Sequence, residues 1–195
     1  RKFILKKPIW SSTLDTLGPG QKKKDFDEEG VLQRMEIQLS KSGIKTKFTK
    51  NIDLTWTHSD IKRLLKKYTN GEYILLFPFC SKRHLNKRWP YYKELVSKLK
   101  QNYKNEFSIL TAPGPGEIDE AHKLNTKVVL VDNEPVDIII LINLIKNAKF
   151  IISNDTGPAH ICSHLNKKGL VLFGSHTSPN KVSIGNTNFK TIQAS

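Results

Sequence analysis

From residue 72 onward the chain repeats one pattern: a short apolar run, a polar turn, then a stretch with helical spacing. Apolar runs at 73–79, 107–110, 127–131, 150–153 and 169–173 are each too short for a buried helix and suit strands covered on both faces. Between them, 90–103, 116–124, 137–148 and 156–165 read as helices. The stretch at 137–148 is apolar nearly all round, which predicts deep burial. Five strands alternating with four helices force crossover connections. The predicted fold is therefore α/β, a Rossmann-like parallel sheet with helices on both faces. In such sheets ligands sit at the carboxyl ends of the strands, so the strand exits are where chemistry is sought.

The exit after 150–153 is SNDTGPAHICSHL. Thr156 suits a helix N-cap and Pro158 the first helical turn. Gly157 has no side chain to hold a ligand away from the backbone. The unpartnered N–H groups at that helix start, at the positive end of its dipole, make an anion site, phosphate being the usual anion. His160 lies one turn on from Thr156 on the same face. Asp155 would repel a phosphate beside it. It therefore accepts from a sugar hydroxyl, pairs with a lysine such as Lys87, or caps its own helix, and is not assigned as a catalytic base. His164 is expected to be packed. Read without its neighbours, the turn is equally a capped helix after a buried strand.

The other exits carry polar groups as well. CSKRHLNKRWP follows 73–79, where Ser81 and Lys87 could serve a phosphate from the side opposite Thr156; a solvated basic loop is the plainer alternative. TAPGPGEIDEA follows 107–110. Glu117 there either accepts from ribose hydroxyls, as acidic residues do in dinucleotide folds, or is an ordinary first-turn carboxylate. GSHTSP follows 169–173, with Gly174, Ser175, His176 and Thr177 as further candidates.

Upstream, 1–71 reads as a helical linker segment, with helices at 25–42 and 57–68, short strands near Phe3–Leu5 and over 44–48, and a mobile loop near 15–24. The domain to follow it spans 72–195, with a further strand expected at 189–192. Its polar last stretch without a closing helix, and a first residue that is not Met, lead us to expect that the chain continues beyond both ends.

Composition excludes several classes. With 37% hydrophobic and 26% charged residues the chain can bury a core. No apolar run approaches the ~18 residues of a membrane span, and the amino-terminal segment lacks the features of a signal peptide. Two cysteines, Cys80 and Cys162, form no metal or disulfide pattern, which points to a reducing compartment. The net charge of +14 is compatible with nucleic acid, with an anionic membrane or a phosphorylated substrate, or with compositional drift. The basic residues are mostly lysines, spread along the chain and rarely interleaved with aromatics, which favours drift plus a basic surface over nucleic-acid binding.

KRWP (87–90), SNDTGPAH (153–160) and LVLFGSHTSP after it, with Gly-Pro-Gly-Glu between, resemble the nucleotide-sugar half of the heptosyltransferase family of GT-B glycosyltransferases. The resemblance covers roughly residues 72 to 180. It implies inverting transfer of a heptose-like sugar from a nucleotide diphosphate sugar to a lipopolysaccharide-type acceptor, without cofactor or obligate metal. It places the donor diphosphate on Ser81, Lys87, Asp155, Thr156, Gly157 and His160, and the nucleoside near Glu117. The implied partners are an ADP-heptose-like donor and a lipid-linked glycan acceptor, with possible peripheral contact to an anionic membrane surface and no nucleic acid. The implied location is the cytoplasm, with a peripheral position at the inner membrane as one option. The family's acceptor domain, expected to supply the catalytic base, has no counterpart in these residues. Asp155-Thr156 stands where Asp-Ser is more usual. The competing readings are another GT-B enzyme with a different sugar, and a basic module for nucleic acid or anionic lipid.

Overall fold

A computed structural model describes residues 12, 16–47, 49, 52–104, 106–175 and 177–193. The chain divides into two compact units: residues 1–52 with 180–183, and residues 53–179 with 184–195. The expectations for a strand at Phe3–Leu5 and for His176 fall outside the described residues.

In the first unit the helix expected over 25–42 is two helices, α1 (Lys23–Phe26) and α2 (Val31–Lys41). Gly30 interrupts them, taking an extended conformation (ψ 141°) as the N-cap of α2. A Cβ on Gly30 would lie 2.9 Å from Ser183 Oγ, which also accepts from Leu32 N–H at 3.3 Å. Asp27 closes the break by pairing with Lys23 and with Arg34. No strand forms over 44–47.

The second unit opens with a 3-10 turn (Thr55–Thr57) and a single helical turn α3 (Lys62–Leu65), where continuous helix is expected from sequence. The reason is tertiary. Buried Asn143 donates to Thr57 O at 2.6 Å and accepts from Ser59 N–H, and Asp60 Oδ1 accepts from Lys62 N–H, so local side chains take the backbone groups a continuous helix would use.

The sheet then unfolds in order. β1 (Tyr73–Phe77), α4 (Tyr92–Tyr103), β2 (Ser108–Thr111), α5 (Ile118–His122) and β3 (Lys127–Val128) build one half. A hairpin, β4 (Leu130–Val131) and β5 (Glu134–Pro135), leads to α6 (Ile138–Asn147). β6 (Phe150–Asn154), α7 (Gly157–His164), β7 (Gly169–Phe173), α8 (Pro179–Val182) and β8 (Phe189–Gln193) follow. The six-stranded sheet has order β3-β2-β1-β6-β7-β8, with every pairing parallel. Helices cover both faces. Ile74 and Leu76 of β1 pack with Tyr92 and Val96 of α4, while Tyr73 Oη donates to Leu144 O of α6 at 2.6 Å. Alternate residues of one strand thus meet helices on opposite sides, which is why 73–77 is apolar without alternation.

Two elements differ from expectation. The run at 127–131 is not one strand. It leaves the sheet at Val129 and turns back through Asp132 and Asn133, both at positive φ (50° and 65°), the conformation of a two-residue hairpin turn. Helix α6 buries Ile142, Leu144 and Ile145, but Ile138 and Ile139 remain exposed, because its first turn overhangs the strand ends.

Candidate functional site

The strand order reverses between β1 and β6: β1 crosses over to β2 on one side and β6 to β7 on the other. The crevice at their carboxyl ends is where such sheets bind ligands. Fully buried Asn154 sets it. Its Nδ2 donates to Pro78 O at 2.7 Å and its Oδ1 accepts from Trp89 N–H at 3.3 Å. One amide thereby fixes the exit of β1, the start of the KRWP helix and the end of β6 together. Replacing it with an apolar group would orphan a buried donor and acceptor, at about 1–3 kcal/mol each.

A cleft of about 600 Å³ opens there. One wall is Phe79, Cys80 and Ser81, with Thr156, Gly157 and Pro158 beside it; the other is Pro113, Gly114, Pro115 and Glu117; Glu134, Pro135, Val136, Ile138 and Leu141 close the far end. Thr156 is the N-cap of α7 (φ −143°, ψ 176°), but its hydroxyl makes no capping bond within the helix and instead contacts Asn154 O at 3.4 Å. A Cβ on Gly157 would meet nothing within 4 Å, so the space before the helix is open. Ser81 Oγ caps the next turn weakly, accepting from Arg83 N–H at 3.4 Å. Glu117 Oε2 accepts from Gly114 N–H at 2.7 Å. Burial raises its carboxyl above the usual range, while that hydrogen bond and nearby Arg88 act the other way and Glu120 adds to the rise.

Ser81, Glu117, Thr156 and Gly157 thus share one cleft. Lys87 does not line it. Its ammonium bonds Asp155 Oδ2 at 2.7 Å and Asp155 O at 3.3 Å, at the edge of a smaller hollow formed with Trp89, Leu172 and Gly174. Pairing with Lys87, one of the three roles open to Asp155, is present, and the carboxylate is only 2% exposed. His160 is not on the cleft wall. Burial lowers its pKa; Asp155 pulls it back up, and His164 and Lys87 add to the lowering. His160 is therefore held neutral, and protonating it costs stability as pH falls below its ordinary 6.5. Burial lowers His164 as well. Among the described residues no three His, Cys, Asp or Glu side chains converge as a metal-ligand set.

Sequence reasoning missed three parts of this site. The hairpin that brings Glu134–Val136 to the cleft was legible in the turn pair Asp132-Asn133. Asn154 and Arg88 carried no signal separable from their neighbours, since their partners are distant in the chain.

The parallel six-stranded sheet with helices on both faces matches one half of a GT-B architecture. The chain belongs to glycosyltransferase family 9 (heptosyltransferase), whose model matches residues 21–193. No curated protein matches it by sequence. Among solved structures it is similar to E. coli heptosyltransferase WaaC with ADP, with a TM-score of 0.60, 19% identity, and 90% of this chain and 51% of that one covered. The family 9 glycosyl transferase from Veillonella parvula gives a TM-score of 0.62 at 14% identity, over 83% and 47%. E. coli ADP-heptose heptosyltransferase II gives 0.56 at 16% identity, over 76% and 44%. The chain spans about half the length of these structures. Among the described residues no helix is long and apolar enough to cross a membrane.

Proposed function

We propose that the cleft binds the nucleoside diphosphate of a nucleotide sugar, with 72–195 as the donor-binding domain of an inverting glycosyltransferase. The observation that carries this is the juxtaposition at one switch point of the open start of α7 and a slot walled by proline and aliphatic side chains. The diphosphate lies against Thr156, Gly157 and Ser81, within reach of Lys87 and His160. The nucleoside runs toward Glu117. At the base end the side chains are Pro113, Pro115, Pro135, Val136, Ile138, Leu141 and Glu134. Of these only Glu134 has a hydrogen-bonding side chain, and its carboxylate accepts. An exocyclic amine such as that of adenine can donate to it. We assign adenine as the base and an ADP-heptose-like molecule as the donor, in keeping with the ADP of the WaaC structure.

In the reaction, an acceptor hydroxyl loses its proton to a base outside the residues assigned here. Its oxygen attacks the anomeric carbon from the face opposite the diphosphate. The bond from that carbon to the diphosphate oxygen breaks, and the electron pair leaves on the diphosphate. The dipole of α7 and the Lys87 ammonium stabilise that developing charge. The acceptor is a lipid-linked cell-envelope glycan, reached from the cytoplasm at an anionic membrane surface; no cofactor or metal is invoked.

Calorimetric titration with ADP, GDP and UDP tests the reading. Saturable binding with ADP tightest is expected; equal binding of all three would remove the adenine assignment, and binding of none the donor-site reading. The charge of +14 favours a second reading, a basic face for an anionic polymer. That face would lose affinity steeply with salt and ignore Lys87→Ala and His160→Ala.

A pH experiment follows from His160. A diphosphate near a neutral, depressed imidazole raises its pKa, so ADP binding takes up protons in the range where that imidazole titrates. Calorimetry in two buffers of different ionisation enthalpy reads that uptake, and His160→Gln should remove the part beyond the ligand's own titration. Unchanged uptake in the variant would separate His160 from the phosphate site.

A further inference from the structure

We propose that Arg88 is a positioning residue for the nucleoside end of the cleft, tying the exit of β1 to α5 and holding Glu117 ready to accept from ribose hydroxyls. The proposal rests on the nucleotide reading above. Arg88 neighbours Lys87 in the basic stretch 82–88. The structure separates the two. Lys87 turns to Asp155, while Arg88 turns to the other side of the cleft and is 22% exposed. Its Nη1 donates to Glu120 Oε2 at 2.5 Å and its Nη2 to Cys80 O at 3.5 Å. The guanidinium carbon sits 5.4 Å from the Phe79 ring centroid. Phe79 and Cys80 form one cleft wall, and Glu120 lies one helical turn on from Glu117, which lines the other. One planar fork therefore joins a residue of one wall to the helix that carries the other, a geometry lysine cannot reproduce.

Arg88 Nε is buried and has no hydrogen-bond partner among the described residues, as is true of Arg34 Nε and Tyr92 Oη, so the two Nη contacts carry the assignment. The electrostatics agree. Glu117 is desolvated and faces Glu120 from its own helix, with Glu134 of the hairpin lining the same cleft. Against these stand the Gly114 N–H and the Arg88 charge. Without Arg88, Glu117 takes a proton at higher pH and ceases to accept from a hydroxyl with full strength.

The experiment compares ADP with 2′,3′-dideoxy-ADP on the unsubstituted protein, Arg88→Met and Arg88→Lys, by calorimetry from pH 5 to 8. Titration of the ligand phosphate is common to both ligands and cancels in the comparison. Arg88→Met should weaken ADP about 10-fold, the scale of one charge-assisted hydrogen bond, and dideoxy-ADP less than about 2-fold, the smaller change expected where no hydroxyl contact exists to lose. The acid limb of ADP binding should move to higher pH, with Arg88→Lys between. Equal losses for both ligands would reduce Arg88 to scaffolding. No loss for either, or equal binding of both ligands to the unsubstituted protein, would overturn the proposal. If the unsubstituted protein binds no ADP, the nucleotide reading itself falls and the proposal with it. Should Arg88→Met fail to fold, the Arg88→Lys comparison carries the same test.

Discussion

Gly169→Ala should lower the melting temperature by roughly 6–12 °C, corresponding to about 3 kcal/mol in a domain of this size. Gly169 is the first residue of β7 and pairs with Ile151 of β6 and Phe189 of β8. An added Cβ would lie 2.2 Å from Ile151 O and 3.0 Å from the Phe189 ring. The first contact is with a backbone carbonyl beside the ladder bonds Ile151 N–H to Lys168 O and Gly169 N–H to Asn188 O, both 3.1 Å. No rotamer change relieves it, so two strands must separate or slide. Phe189 is fully buried and packs onto the gap that the glycine leaves. The glycine sits at the amino end of its strand, away from the cleft, so ADP affinity of the folded variant at low temperature should be unchanged. A melting temperature within about 2 °C of the original would show that β7 can shift at little cost.

Lys87→Ala should weaken ADP on the order of 10- to 100-fold, the range of ~1.5–3 kcal/mol for a charge-assisted hydrogen bond, and should weaken AMP less. The unliganded protein holds Lys87 on Asp155, so the ammonium must leave that carboxylate, or share it, to reach a phosphate. Asp155→Asn separates two roles by sign. If Asp155 acted only as a nearby negative charge, its removal would strengthen diphosphate binding. If its work is to keep Lys87 at the cleft edge, its removal weakens binding, and that weakening is the expected result. Calorimetry with ADP and AMP on the three proteins decides it. Unchanged ADP affinity in Lys87→Ala would remove Lys87 from the diphosphate site.

The period of the apolar runs determined the class of fold. A run such as 73–77 has no polar face, so it has to be covered on both sides, and helical stretches between such runs allow little except a parallel sheet. The start of α7 was equally legible, because capping and helix-start chemistry act within four residues of Thr156. The break in the helix expected over 25–42 and the splitting of 57–68 involve partners far away in the chain, Ser183 and Asn143, while the exit of 129–135 turns on the local pair Asp132-Asn133. Asn143 captures backbone groups 86 residues distant, and a local pattern carries no record of that. The same division runs through the site. Local chemistry marked Thr156, Gly157 and Glu117 as candidates. The pairing of Lys87 with Asp155 was one of three roles open in the sequence; the tertiary structure selected it and turned Arg88 toward Glu120, because adjacent cations are alike in sequence and are told apart by the carboxylate that each one meets.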